Sequence, residues 1–194
     1  MDNIRDKIRS ANRRDQVSTC EALSKIWLAK NPDDIWVVQM LAESLYQMAR
    51  YDESLQMYNE ALVRFPDHRW GIYNQIGHLY RYRGELDQAA LWYEKAIEED
   101  PDEASSYIFL GASKARQGKL VEAEAIHRRA TTCANGLIEE AFHNLGLVLR
   151  GQMRLLEAAD CFRRAIEIDP EYDAAIEALE DVVHGQKATE EQQG

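Results

Sequence analysis

The stretch Tyr73-Asn74-Gln75-Ile76-Gly77-His78-Leu79-Tyr80 is followed at fixed intervals by Gly84, Ala89, Tyr93, Ala96 and Pro101. Tyr73, Ile76, Gly77 and Tyr80 recur at i, i+3, i+4 and i+7, the period of one face of an α-helix. Ala89, Trp92, Tyr93, Ala96 and Ile97 repeat that pattern on a second helix, and Gly84 suits the turn between them. Small residues let two helices approach closely, and each aromatic fills the space its small partner leaves. The same columns return along the chain. Leu41-Ala42, Ile76-Gly77, Leu110-Gly111 and Leu145-Gly146 are spaced by 35, 34 and 35 residues. Each is followed by a small residue (Ser54, Ala89, Ala123, Ala158), a ring (Tyr58, Tyr93, His127, Phe162) and an alanine (Ala61, Ala96, Ala130, Ala165). Pro66, Pro101 and Pro170 close three of the four units. Self-similarity at this period marks a stack of helical hairpins.

These residues resemble the tetratricopeptide repeat (TPR) family, whose consensus the second unit follows almost without gaps. The resemblance implies an all-α, right-handed superhelical solenoid of antiparallel helix pairs, with repeats at 35–69, 70–103, 104–138 and 139–172. Three features depart from the pattern. Ala49 and Met153 stand where the turn usually carries Gly, although Gly151 lies close by. The third unit ends in Thr131-Thr132-Cys133-Ala134-Asn135-Gly136 instead of Pro, and His127 replaces its core aromatic. Asn-Gly ends a helix through a left-handed conformation, so the junction is expected to tilt and not to break.

The flanks read as ends of the stack. Residues 1–34 form a degenerate N-terminal helical repeat, with Ile4, Ile8 and Ala11 on one helix face, Val17, Cys20, Leu23 and Trp27 on another, and Pro32 near the closing position. Residues 173–184 form a capping helix whose apolar stripe, with Tyr172, is Ala175, Ile176, Leu179 and Val183, opposite Asp173, Glu177, Glu180 and Asp181. A solenoid needs such a half-polar helix over its last core face. Residues 185–194 are expected to be disordered.

The 194 residues carry 34 acidic and 23 basic side chains, a formal charge of −11. That balance argues against nucleic acid as a partner, which requires cations to displace phosphate counterions. The charge is uneven: residues 1–30 sum to +3, 31–100 to −7, 101–166 to +1 and 167–194 to −8. The acidic end reads as solvation of a capping helix, as a dock for a basic partner, or as one half of head-to-tail self-association. Met1–Lys7 has no signal-peptide pattern, and no apolar run reaches membrane-spanning length. Three cysteines without paired spacing fit a reducing compartment. A cytoplasmic protein, with no membrane partner, is expected.

Signatures of chemistry are absent from the sequence. No glycine-rich phosphate loop and no metal-ligand spacing occurs, so neither cofactor nor metal is expected. Cys20 and Cys161 fall in packing columns, and Cys133 is expected to be the exposed thiol. In the family the first helices line the inside of the superhelix and hold a peptide. The matching positions are Trp36, Gln39, Met40, Glu43 and Tyr46; Asn74, Gln75, His78, Arg81 and Tyr82; Ile108, Phe109, Ala112 and Arg116; and His143, Asn144, Leu147 and Arg150. Arg81, Arg116 and Arg150 stand at similar points in successive units. Arginine and aromatics dominate binding hot spots. These arginines either grip acidic ligand groups or neutralise nearby glutamates and first-helix C-termini.

The Lys, Asn and Arg set with which co-chaperone relatives clamp a C-terminal carboxylate is not reproduced in any frame. The implied function is a non-enzymatic adaptor or scaffold that binds a peptide or partner protein in the concave groove. The alternative is an acidic inhibitor, immunity-type protein or secretion chaperone that masks a basic or aggregation-prone partner.

Overall fold

The computed structural model describes residues 4–191, with side chains through residue 185. Among these residues the chain forms eleven α-helices. They are α1 (Ile4–Arg13), α2 (Val17–Leu28), α3 (Ile35–Gln47), α4 (Tyr51–Arg64), α5 (Arg69–Tyr82), α6 (Leu86–Glu99), α7 (Ala104–Arg116), α8 (Leu120–Ala130), α9 (Ile138–Gly151), α10 (Leu155–Ile168) and α11 (Asp173–Glu191). This is the all-α TPR fold that the periodicity and the resemblance imply. No helix among the described residues is long and apolar enough to cross a membrane. The chain divides into two compact units between Trp92 and Tyr93, inside α6.

In the first unit, Ile8, Ala11, Cys20 and Val37 bury the N-terminal hairpin against α3, with Trp27, Trp36 and Met40 packed around them. Asp34 ties three helices together. Its carboxylate accepts the Val37 amide at the start of α3 and the Trp27 indole N–H at 2.9 Å, and it pairs with Arg5 at 3.3 Å. A second cluster joins α3, α4 and α5 through Val38, Ala42, Tyr46, Tyr58, Ile72, Ile76 and Leu79. Between α3 and α4, the buried Ser54 hydroxyl donates to the Ala42 carbonyl at 2.6 Å. A side chain larger than serine would hold the helices apart there.

In the second unit, Ala104, Ile108, Ala130 and Ala141 form one cluster. Leu145, Leu149, Ala158, Ala159, Phe162, Ala178 and Val182 form another, which α11 covers. A Cβ on Gly146 would lie 2.5 Å from the Phe162 ring, and one on Gly111 would lie 2.6 Å from the His127 ring. Both glycines are therefore steric requirements of helix approach. The junction without proline is fastened by backbone: the Ala104 amide donates to the Asn135 carbonyl and the Asn135 amide to the Asp102 carbonyl, each at 3.0 Å. Gly136 completes that turn at φ +93°.

Three turns keep the conformation their glycine-lacking sequences disfavour: Asp15 sits at φ 53°, Ala49 at φ 60° and Met153 at φ 62°. Left-handed backbone costs an L-residue about 1–2 kcal/mol, which the packing of the hairpins on either side offsets. The C-terminal end departs from expectation. Helix α11 runs to Glu191, beyond the 184 at which the cap was expected to end, because Gln, Lys, Ala and Glu in 186–191 are good helix formers. Residues 192–194 of the expected disordered tail lie outside the described residues.

His127 is 1% exposed, its Nδ1 meets no hydrogen-bond partner, and burial pushes its pKa down to about 4. As pH falls below about 6.5 the unfolded chain takes up this proton while the folded chain does not, so stability falls with pH between about 6.5 and 4. At pH 5 the loss from this one group is about 2 kcal/mol. Phe162 already shows that a phenyl ring fits over a first-helix glycine. His127→Phe should therefore leave a smaller difference between urea unfolding free energies at pH 7 and pH 5 than the wild type shows. An unchanged difference would contradict the burial of a neutral imidazole at this position.

Candidate functional site

The first helices of the unit-1 hairpins carry the residues expected to face a ligand. On α3, Trp36 is half-buried, with the Arg5 and Arg9 guanidinium groups of α1 over its ring at 5.2 and 5.6 Å. Met40 packs on the N-terminal core, and Glu43 is half-buried, its carboxyl pushed up by burial. Gln47 donates to Glu43 at 3.3 Å. Tyr46 is buried and meets the Tyr82 ring of α5 in a tilted contact at 5.5 Å, with Tyr82 59% exposed. Gln39 and Gln75 are half-buried, with the Gln39 amide against Gly71. Asn74 is only 4% exposed and belongs to the interior. His78 is half-buried, and burial together with Arg81 pushes its pKa down to about 4, so the ring is neutral at pH 7. No carboxylate among the described residues pairs with Arg81.

In unit 2, Ile108 is 2% exposed and sits in the core cluster of α7, which removes it from any contact surface. Its neighbour Phe109 turns onto Tyr93 at 5.6 Å. Ala112 is half-buried, and Arg116 is exposed and engages no carboxylate among the described residues. On α9 the expected ligand residues are held by the protein itself. The Tyr172 hydroxyl and His143 Nδ1 lie 3.3 Å apart in a hydrogen bond, Asn144 donates to the Glu140 carbonyl, and Arg150 pairs with Asp181 of α11 at 2.7 Å. Burial, with Arg150 adding to it, lowers the His143 pKa, and burial raises that of Glu140. Leu147 is half-buried beside the C-terminal core.

Arg150 thus meets a local carboxylate while Arg81 and Arg116 meet none among the described residues, and all three stand in the last turn of their first helices, where a cation also suits the helix C-terminus. Missing from the expected set were Arg5 and Arg9, which with Trp36 make a cationic-aromatic platform at the start of α3. Their signal was present as i and i+4 arginines in the degenerate repeat. Cys133 is half-buried, and burial raises its pKa, as it raises that of Cys161 to about 11. Both shifts run opposite to what thiolate chemistry requires. Among the described residues no group of three or more His, Cys, Asp or Glu is placed to hold a metal ion.

Three family models, each described as tetratricopeptide repeat, match residues 33–98, 74–138 and 139–172. The chain belongs to the tetratricopeptide repeat family. Human tetratricopeptide repeat protein 7B is 30% identical over 128 residues, 66% of this TPR chain and 15% of that protein. A TPR repeat-containing protein of Methanocaldococcus jannaschii is 27% identical over 146 residues, 74% of this chain and 25% of its own length. The chain thus spans a quarter or less of these curated relatives. Among solved structures, a thermophilic TPR protein of Thermus thermophilus matches with a TM-score of 0.72 at 19% identity, covering 93% of this chain and 99% of that one. YrrB, described as a TPR protein with an unusual peptide-binding site, matches at TM-score 0.58 and 18% identity, covering 88% and 87%. The first TPR domain of Spaghetti (RPAP3), bound to the HSP90 peptide SRMEEVD, matches at TM-score 0.57 and 20% identity, covering 62% and 94%.

The different engagement of the arginines has a measurable consequence. Arg81→Ala and Arg116→Ala should each change unfolding free energy by less than about 0.5 kcal/mol, as surface substitutions without partners do. Tyr172→Phe, which leaves a half-buried histidine nitrogen without its hydroxyl, should cost about 1 kcal/mol. Denaturant unfolding of the three variants checks the order, and a larger loss for either arginine would show that it supports the fold.

Proposed function

We propose that this TPR chain is a non-enzymatic interaction module whose first-helix faces hold an extended peptide or a partner's segment carrying acidic and apolar side chains. The TPR fold supports protein or peptide binding, and the observation that carries the finer reading is the state of the cations. Arg81 and Arg116 stand on first helices without a carboxylate partner among the described residues, in a chain of charge −11 where most arginines are paired. Beside Arg81 stands the exposed Tyr82, and on the same unit lies the Trp36 platform with Arg5 and Arg9. A guanidinium can fork onto a carboxylate, and aromatic faces take apolar side chains. His78 and His143, both neutral at pH 7, add no charge of their own. The half-buried Glu43 sets a limit: a ligand acid placed against it would be repelled.

The reading excludes chaperone C-termini held by a carboxylate clamp. Positions that would supply its lysine and asparagines here hold Gln39, Glu43 and Gln75. It carries no reaction and needs no cofactor, and it is compatible with a cytoplasmic location.

An array of 12-residue peptides, alternating Leu or Phe with Glu in one set and with Lys in another, tests this directly. The acidic set should be retained over the basic set. Arg81→Glu and Arg116→Glu, assayed separately, should each weaken retention about tenfold, the value of one charge-assisted contact. Arg163→Glu, on the second helix α10, should not. Preference for the basic set would overturn the proposal and favour the masking of a basic partner, and equal loss from all three reversals would overturn it by showing that net charge alone sets retention.

A further inference from the structure

The two ends of the chain carry opposite charges, several of which enter no ion pair among the described residues. On α11, Ala175, Ala178 and Val182 are buried and Asp181 faces Arg150 of α9. Flanking this buried edge, Ile176, Leu179 and Val183 recur at i, i+3 and i+7 and are half-buried, Leu179 resting on the C-terminal core. Beside them stand the exposed carboxylates Asp173, Glu177 and Glu180. The register explains the stripe. Leu179-Glu180 falls 34 residues after Leu145-Gly146, so α11 has the register of a first helix, and no described residue covers it as α10 covers α9. Glu180 stands in the column that holds Ala42, Gly77, Gly111 and Gly146. A second helix at the usual close approach would bury that carboxylate unpaired, at a cost of several kcal/mol. The face therefore rejects an ordinary repeat helix and suits a surface that is both apolar and cationic.

Such a surface lies on the N-terminal hairpin. Arg5 and Arg9 on α1 face Trp36 of α3, and Lys7, about 200° around the helix from each, projects from the opposite side. Lys7, Arg13 and Arg14 are all exposed and in no ion pair among the described residues. On α2, Glu21 reaches Arg50 at the start of α4, and Ile26, about 140° away from it, is 52% exposed.

We propose that α11 of one copy docks on the α1–α2 hairpin of a second copy, with Asp173, Glu177 and Glu180 meeting Lys7, Arg13 and Arg14 and the Ile176, Leu179 and Val183 stripe meeting Ile26. The two faces differ, so the contact is heterologous and each copy keeps a free face for the next. Association rises with protein concentration and falls with salt, which screens exposed charges.

Sedimentation velocity on the full chain over a hundredfold concentration range tests this. At the highest concentration and low salt the weight-average mass should reach at least about twice the 22.3 kDa of one chain, and it should return toward one chain at about 0.5 M salt. A head-reversed variant (Lys7→Glu with Arg14→Glu) and a tail-reversed variant (Glu177→Lys with Glu180→Lys) should each remain monomeric alone. Mixed, they should associate, because each then offers the charge the other lacks, and helical circular dichroism confirms that both are folded. A monomeric wild type would overturn the proposal. So would association that survives either reversal, or reversed variants that fail to associate when mixed.

Discussion

Each hairpin of the second unit closes around a point where there is no room for a Cβ atom. Phe162 lies on Gly146 and His127 on Gly111, with ring atoms well inside contact distance of any added methyl. In the first unit, Ala42 and Ser54 achieve the same closeness through a buried 2.6 Å hydrogen bond. This constraint governs the rest. Close approach lets a three-residue turn join the helices, and that geometry forces Ala49 and Met153 into left-handed backbone despite their side chains. It also fixes which side of each first helix is spent on its partner, and so which residues remain to meet anything else. Ile108 and Asn74 fell on the spent side; Arg81, Tyr82 and Arg116 did not.

Charge is organised on top of this packing. The second helices α4 and α10 each begin at an arginine, Arg50 and Arg154, that bridges a glutamate of its own first turn and a carboxylate of the preceding hairpin. Glu21 is held below the usual carboxylate range by Lys25 and then by Arg50, and Glu124, against the upward push of burial, by Arg154 and Arg128. Exposed pairs contribute little energy singly. Their recurrence at equivalent places shows one use of the sixteen arginines: seven of them reach a carboxylate on another element among the described residues. Arg81 and Arg116 on first helices, like Arg13 at the end of α1, meet no carboxylate among the described residues.

The repeat was legible because its columns are local. A glycine, an alanine twelve positions on and a ring four further are one hairpin's packing written in order. The chain's departures from the pattern were visible as well, yet their outcome was not. Nothing in Thr131–Gly136 announces that Asn135 will pair its backbone with Asp102 and Ala104, because that contact joins segments some thirty residues apart. The candidate site suffered from the same blindness. His143 and Arg150 read as ligand residues in isolation, and their partners lie one repeat later, Tyr172 just before the helix that reads as a cap and Asp181 on it. Exposure along a first helix depends on its neighbours in the stack, so residue type at a groove position selects candidates without ranking them.

The account stands or falls on the steric claim at the helix contacts, and two glycines of α9 measure it. Gly151 has only Leu120 nearby, at 3.7 Å from where a Cβ would lie, whereas Gly146 is pressed against Phe162. Helix propensity alone favours alanine over glycine at either site, by up to about 1 kcal/mol. Urea unfolding of Gly151→Ala should therefore show equal or greater stability than wild type. Gly146→Ala should instead lose about 1–3 kcal/mol to overpacking, and Phe162→Leu in the same chain should relieve part of that loss. If Gly146→Ala proved as stable as Gly151→Ala, close approach would not be the constraint that builds this fold.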